Sequence, residues 1–228
     1  MKRNSLSYTD NLPNSLDLTV KEGEHLHLEL STFSKLGNIK IHVSVFKNGY
    51  LDVAFADFSS DDGKVEVEID LLEEGAEAIW NLASLAKGKE KKIFVPSVYH
   101  KAPHTKALVR SYGINRDESH LYFFGESVIP HGSIKTSTRQ EAKIIVFDPN
   151  CVGKASPVLK ISENDVEASH GAALGRLNDE HLFYLMSRGL SKENAKRLIT
   201  LGYLKPIEDH FDDELIKEKI DKAIEGGI

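Results

Sequence analysis

The sequence predicts a mainly β protein that ends in a small helical domain. Apolar and polar residues alternate from about residue 25 to 161, and from Asn178 the apolar period becomes helical. Gly, Pro, Asn or Asp punctuates the strand-like runs. Residues 1–24 read as a polar N-terminal lead-in, 25–177 as the β body and 178–228 as the helical domain.

In the body, residues 25–30, 39–45 and 64–71 alternate, so each run puts one face in a core and the other in water. Runs at 93–98, 107–112, 120–124, 143–147 and 157–161 follow, giving about ten short strands. Residues 76–86, where Ile79, Leu82 and Leu85 sit among alanines, fit a helix as well as a strand. In the tail, Leu182, Leu185 and Met186 form a helical stripe that Gly189 is placed to end, and they are expected to build the tail's own core together with Phe183. Ser191, with Asn194 behind it, can start the next helix, which carries Ala195, Leu198 and Ile199 and closes at Gly202. A third helix opens at Phe211-Asp212-Asp213-Glu214, acidic where the helix dipole is positive, with Lys217, Lys219 and Lys222 further along.

Asn48-Gly49 and Asp61-Asp62-Gly63 are hairpin signals, and on local rules the body is an antiparallel sandwich. Many short strands with turns at repeating intervals also fit a stack of coils, each burying its inner face against its neighbours.

Composition narrows the function classes. The 228 residues carry 29 Lys+Arg and 35 Asp+Glu, a net charge of −6. That balance argues against a surface built to coat nucleic acid or anionic lipid. No apolar run reaches the length of a signal peptide or membrane span, so a soluble cytoplasmic protein is expected. The single cysteine, Cys151, cannot form an internal disulfide or a four-thiolate metal site alone. Phosphate-loop, Gly-x-Ser-x-Gly and His-Glu-x-x-His motifs do not occur, so ATP, if it matters, is handled by another protein.

The candidate chemical groups are few. Cys151 follows a strand-like run, where a cysteine is ordinarily a small buried hydrophobe. His170 lies among small residues between the last strand-like run and the tail, where a side chain can be presented at an interface. His100 and His104 flank Pro103, which disfavours a helical two-histidine clamp, and a solvated turn is expected. His25, His27 and His42 alternate with buried aliphatics and should face outward into solvent.

Residues 166–190 pair Ser169-His170-Gly171-Ala172 with Leu182-Phe183-Tyr184-Leu185-Met186-Ser187-Arg188-Gly189. This stretch closely resembles the C-terminal signature of the SufB/SufD family, the scaffold components of the SUF iron-sulfur cluster assembly system. The likeness extends upstream through Tyr112-Gly113-Ile114, Phe124-Gly125-Glu126-Ser127 and Arg139-Gln140-Glu141, and covers about residues 90 to 205.

The resemblance implies a right-handed parallel β-helix followed by a small C-terminal α-helical domain, with no catalytic turnover of its own. It implies pairing through the β-helices with a SufB-like paralogue or a second copy, docking of the ATPase SufC on the helical domain, and a transient iron-sulfur cluster shared across subunits. Cys151 matches the scaffold cysteine of SufB-like members, although the turn here reads Pro149-Asn150-Cys151-Val152. His170 matches a histidine that SufD-like members place near the subunit interface, and Gly171, where SufB-like members carry Glu, favours SufD. Thiolate and imidazole both ligate iron, and one of each per subunit would make four across a dimer. Arg188, Tyr203 and Leu204, near helix ends, are the candidates for reaching SufC. Larger members also carry an N-terminal segment before the β-helix.

Two other classes compete. A thiol hydrolase would use Cys151 as nucleophile and His170 as base, within about 3 Å of each other. A carbohydrate-binding β-helix would show an exposed aromatic stripe or an acidic calcium cluster, although Trp80 is the only tryptophan.

Overall fold

In the computed structural model, which describes residues 3–226, the chain passes back and forth between two sheets. Strands β1 (Arg3–Thr9), β3 (His25–Thr32), β5 (Tyr50–Asp57), β7 (Glu77–Ala86), β9 (Lys106–Asn115), β12 (Thr136–Val146) and β15 (Val166–Arg176) form the first sheet in that order. The second runs through β2 (Ser15–Val20), β4 (Gly37–Val45), β6 (Gly63–Leu71) and β8 (Lys91–His100). It then divides into two lanes, β10 (His120–Phe123) to β13 (Val152–Ala155) and β11 (Glu126–Ile129) to β14 (Val158–Ile161). The strand pairings within both sheets are parallel, which makes a β-solenoid of about six turns. Strands β1 and β2 lie within residues 1–24, so the polar lead-in already belongs to the first coil.

The antiparallel sandwich is therefore overturned, and the parallel β-helix is what forms. Asn48 takes the left-handed conformation (φ 52°) that a hairpin turn also needs. Here it turns the chain from β4 in one sheet to β5 in the other, and β5 pairs with β3 and β7 instead of returning along β4. The local signal specifies a tight corner but not which sheet the next strand joins.

Inward-facing aliphatics from both sheets make one continuous core along the solenoid. Phe55, Trp80, Phe94 and Phe123 stack through it edge to face, with centroids 5.9 to 6.1 Å apart. Gly113 gives room to this column: a Cβ there would lie 2.4 Å from Leu121 Cδ2.

Polar ladders fill the corners. Lys92 is fully buried, donating from Nζ to the carbonyls of Ser59 (2.7 Å) and Leu85 (2.8 Å) and pairing with the equally buried Asp57 at 3.0 Å. Asp57 also accepts from the hydroxyls of Thr32, Ser59 and Ser84. Such a pair is tolerable in a core because every partner is present. At another corner His100 Nδ1 lies 2.9 Å from Thr105 Oγ1, which meets Thr136 Oγ1 at 3.1 Å. His100 is buried, with Nε2 unpartnered, and not in the solvated turn expected, whereas His104 is exposed.

Helices α1 (Asp179–Ser187), α2 (Lys192–Leu204) and α3 (Glu214–Gly226), with a 3-10 turn at Lys205–His210, form the tail. Asn178 caps α1, the left-handed Gly189 (φ 94°) follows its end, and Ser191 caps α2. Leu204, Ile207, Phe211, Ile216, Ile220 and Ile224 pack on the outer face of the first sheet, against Ala54, Ala56, Ala83 and Leu85. This cover explains the ambiguous run at 76–86: β7 is buried on both faces, so its alternation is lost, with Ala83 and Leu85 facing the tail. Among the described residues no helix is long and apolar enough to cross a membrane.

Replacing Lys92 by Met should cost about 3 to 5 kcal/mol, because the Asp57 carboxylate is left buried without its counter-ion; urea unfolding reads this directly. His100 supplies acid lability. Burial holds its pKa at about 4 against an ordinary 6.5, so its neutral form is stabilising above pH 6.5 and that contribution is lost as pH falls toward 4. The full loss is roughly 3 kcal/mol. Melting curves between pH 7 and 4 should show this slope, and a His100→Gln variant should show a shallower one.

Candidate functional site

The last strand, β15, is where the solenoid stops. It pairs with β12 along one side only, and its residues are largely exposed. His170 lies within this strand, opposite Gln140, and not in a turn as its small neighbours suggest. Gln140 points inward, and parallel register puts His170 on the same side, above the open end of the core. With no coil beyond it, the imidazole is exposed. Val152, Val158, Ile161 and Leu174, spread along the same last coil, are apolar and partly uncovered. Gly171 beside it is open: a Cβ there would meet nothing within 4 Å.

Cys151 sits at the corner between β12 and β13, half-buried against the end of the core. Its thiol donates weakly to the Asp117 carbonyl at 3.5 Å. Burial, reinforced by the Asp148 and Asp117 charges, pushes the thiol pKa up despite two backbone hydrogen bonds that lower it. A low-pKa nucleophile needs the opposite environment.

The structure does not bring Cys151 and His170 together. His170 is level with Gln140, whereas Cys151 follows the end of β12 at Val146, so at about 3.3 Å per strand residue the two stand on the order of 20 Å apart. The hydrolase dyad therefore does not exist in this chain. The same spacing corrects the expectation that each subunit gives one thiolate and one imidazole to a single cluster, since a cluster spans only a few ångströms and can take at most one of them from one chain. The carbohydrate reading also loses its platform, because Trp80 is buried in the solenoid core.

In the tail, Leu182 is buried as expected, but Phe183 is 73% exposed, Tyr184 55% and Met186 43%, with Leu198 of α2 also uncovered. The helical stripe of α1 is thus only partly used for its own core. Arg188 lies over the Tyr184 ring at 5.2 Å, on this open side. Tyr203 instead packs on Tyr112 of the sheet at 5.8 Å, and burial pushes its phenol pKa well up. Leu204 is 1% exposed and belongs to the tail's packing, so neither it nor Tyr203 stands out as a free surface.

The outward-facing histidines are not simply solvated. His27 is 1% exposed because the tail covers it, with Nδ1 3.0 Å from Asp52 and Nε2 3.2 Å from Glu29. Burial lowers its pKa, but the Asp52 hydrogen bond and charge outweigh that and leave it raised, while Asp52 is held below its usual range. Glu29 also accepts the backbone N–H of Asp212, so this ion cluster ties sheet to tail. His42 bridges Asp17 and Asp70 on the second sheet. Two groups, His27/Glu29/Asp212 and His42/Glu68/Asp70, have the spacing to hold a metal ion. Each already carries compensating cations, Arg3 on Asp212 at 2.8 Å and Lys101 on Asp70 at 2.7 Å. Sequence reasoning missed these clusters because the partners come from different coils.

A family model described as "SUF system FeS cluster assembly, SufBD core domain" matches residues 25–203. The chain is 29% identical over 178 residues to the iron-sulfur cluster assembly protein SufD of Bacillus subtilis, an alignment covering 72% of this chain and 41% of that protein. It is similar to the SufD protein of Plasmodium falciparum at 28% identity, over 82% of this chain and 13% of that protein. It is similar to that of Escherichia coli at 27%, over 51% and 29% respectively. The chain therefore matches less than half the length of each of these relatives.

Because its pKa is raised and its side chain half-buried, Cys151 should react with iodoacetamide at pH 7.5 several-fold more slowly than a free cysteine. Timed alkylation followed by mass spectrometry measures this, and an accelerated thiol would contradict the environment described.

Proposed function

This chain belongs to the SufB/SufD family and stands closer to SufD, and from that membership we propose that it is a SufD-like scaffold subunit of the SUF iron-sulfur cluster assembly machinery. It works without catalytic turnover of its own, in the cytoplasm, with a SufC-type ATPase and with a SufB-like paralogue or a second copy of itself. The cluster is cargo, held transiently between subunits.

The observation that carries this reading is the unfinished C-terminal coil. A solenoid strand satisfies its backbone through the coils above and below it, and β15 has a neighbour on one side only. An open edge flanked by exposed Val158, Ile161 and Leu174 favours pairing with another chain. His170 rides on that strand, so pairing would bring it to the interface, where an imidazole can join iron ligands supplied by the partner. Cys151, at the far end of the same coil, would serve a separate position.

The exposed Phe183, Tyr184 and Met186 of α1 support the tail as the ATPase-docking surface, with Arg188 beside them. Aromatic and Arg side chains of this kind are the usual anchors of a protein interface. Motion of the ATPase at the tail would then reach the solenoid through the tail's packing on the first sheet.

The test is co-purification with the SufC-type ATPase. The wild-type chain should retain it, and a Phe183→Ser, Tyr184→Ser double variant should retain about tenfold less or worse. Both residues are exposed, so the variant keeps the fold, as circular dichroism would verify. Equal retention by the two proteins would remove α1 from the docking surface.

A further inference from the structure

We propose that the seam between the first sheet and the tail is a binding site for a small organic anion, an oxyanion head joined to a planar apolar body. A cavity of about 340 Å³ opens there, between β7, β9 and β12 on one side and the end of α2 with its following 3-10 turn on the other. That is the size at which small-molecule pockets begin. Its apolar wall is formed by Leu82, Ala83, Pro206 and Ile207, and the Tyr112 and Tyr203 rings meet edge to face beside it.

The charge that needs a ligand is Arg110. Arg110 is half-buried and lines this cavity, and among the described residues its guanidinium makes no hydrogen bond or ion pair. Register puts it directly between Asn81 and Glu141. Glu141 would be the natural partner, but it accepts from the Tyr112 hydroxyl at 2.9 Å and from Arg139 Nε at 2.8 Å, so its carboxylate is already engaged. A second carboxylate, Asp52, whose charge acts on His210, is bound to His27. A partly desolvated guanidinium left unpaired beside an apolar wall favours a bidentate oxyanion.

The polar groups beside Arg110 suit the same head group. Asn81 is nearly buried, with Nδ2 3.5 Å from His210 Nδ1, and both side chains line the cavity. Burial, with Arg110 alongside, keeps His210 below its usual pKa, which leaves a neutral ring able to donate one N–H. Because Asn81 and Arg110 belong to the sheet while His210 and Ile207 belong to the tail, a bound molecule would touch both and favour their docked arrangement. No residue of β15 or α1 lines this cavity.

Calorimetric titration of the full chain with benzoate, phenyl phosphate and the neutral benzamide tests the proposal. At least one anion should bind saturably at one site, with benzamide about tenfold weaker or worse. The order of the two anions distinguishes a carboxylate ligand from a phosphate ester. Arg110→Met should weaken the anion about tenfold or more, and Arg110→Lys, which keeps the charge but not the fork, should fall between. The anion should also raise the melting temperature of the wild-type chain and leave that of Arg110→Met unmoved. No saturation by either anion, equal affinity for benzamide, or undiminished binding to a folded Arg110→Met variant would each overturn it. The benzamide comparison needs no variant, so failure of Arg110→Met to fold does not shield the proposal.

Discussion

Parallel, register-matched stacking of coils is the constraint on which the rest of this structure depends. Each strand satisfies its backbone through the strands before and after it in the stack, so satisfaction fails only at the two ends. The first coil's β1 carries Arg3, Asn4, Ser5 and Ser7, which water can serve, together with one exposed aliphatic, Leu6. The last coil meets its open edge with β15 and with Val158, Ile161 and Leu174, which water serves poorly. Under the proposed function, the end that pairs with a partner is the one bearing His170.

A second consequence is that the two faces of the stack are treated differently. The first sheet is covered by the tail, and its outward positions include alanines and buried ion pairs such as His27 with Asp52 and Glu29. The second sheet keeps the alternation of buried aliphatics with Lys40, His42, Glu66 and Glu68. Interior polar ladders at Lys92 and His100 link consecutive coils through side chains as the strands do through backbone, and they fix the corners where the chain changes sheet.

Much of this was legible from periodicity, yet the stacking was not. Paired positions are offset by 22 residues between β1 and β3, and the offset rises through 25, 27 and 29 to 31 between β9 and β12. It falls back to 30 between β12 and β15, and a repeat whose length keeps changing leaves no fixed period to detect, while a corner such as Asn48-Gly49 carries the same backbone signal as a hairpin. The resemblance around residues 166–190 supplied the architecture that local rules could not. It also singled out His170 and Cys151, but it could not give the distance between them, which depends on how far β12 runs past Gln140 before the chain turns.

By itself the sequence determined the strand-rich body, the change of period at Asn178, the caps at Asn178 and Ser191 and the family to which the chain is similar, because these are properties of neighbouring residues. Only the tertiary structure decided that His27 and His100 are buried, that Phe183 is not, and that Arg110 lines a cavity with no counter-ion among the described residues. The reason is that burial and charge pairing are set by residues some 25 to 130 positions away, brought alongside by the coil register or by the tail folding back on the sheet.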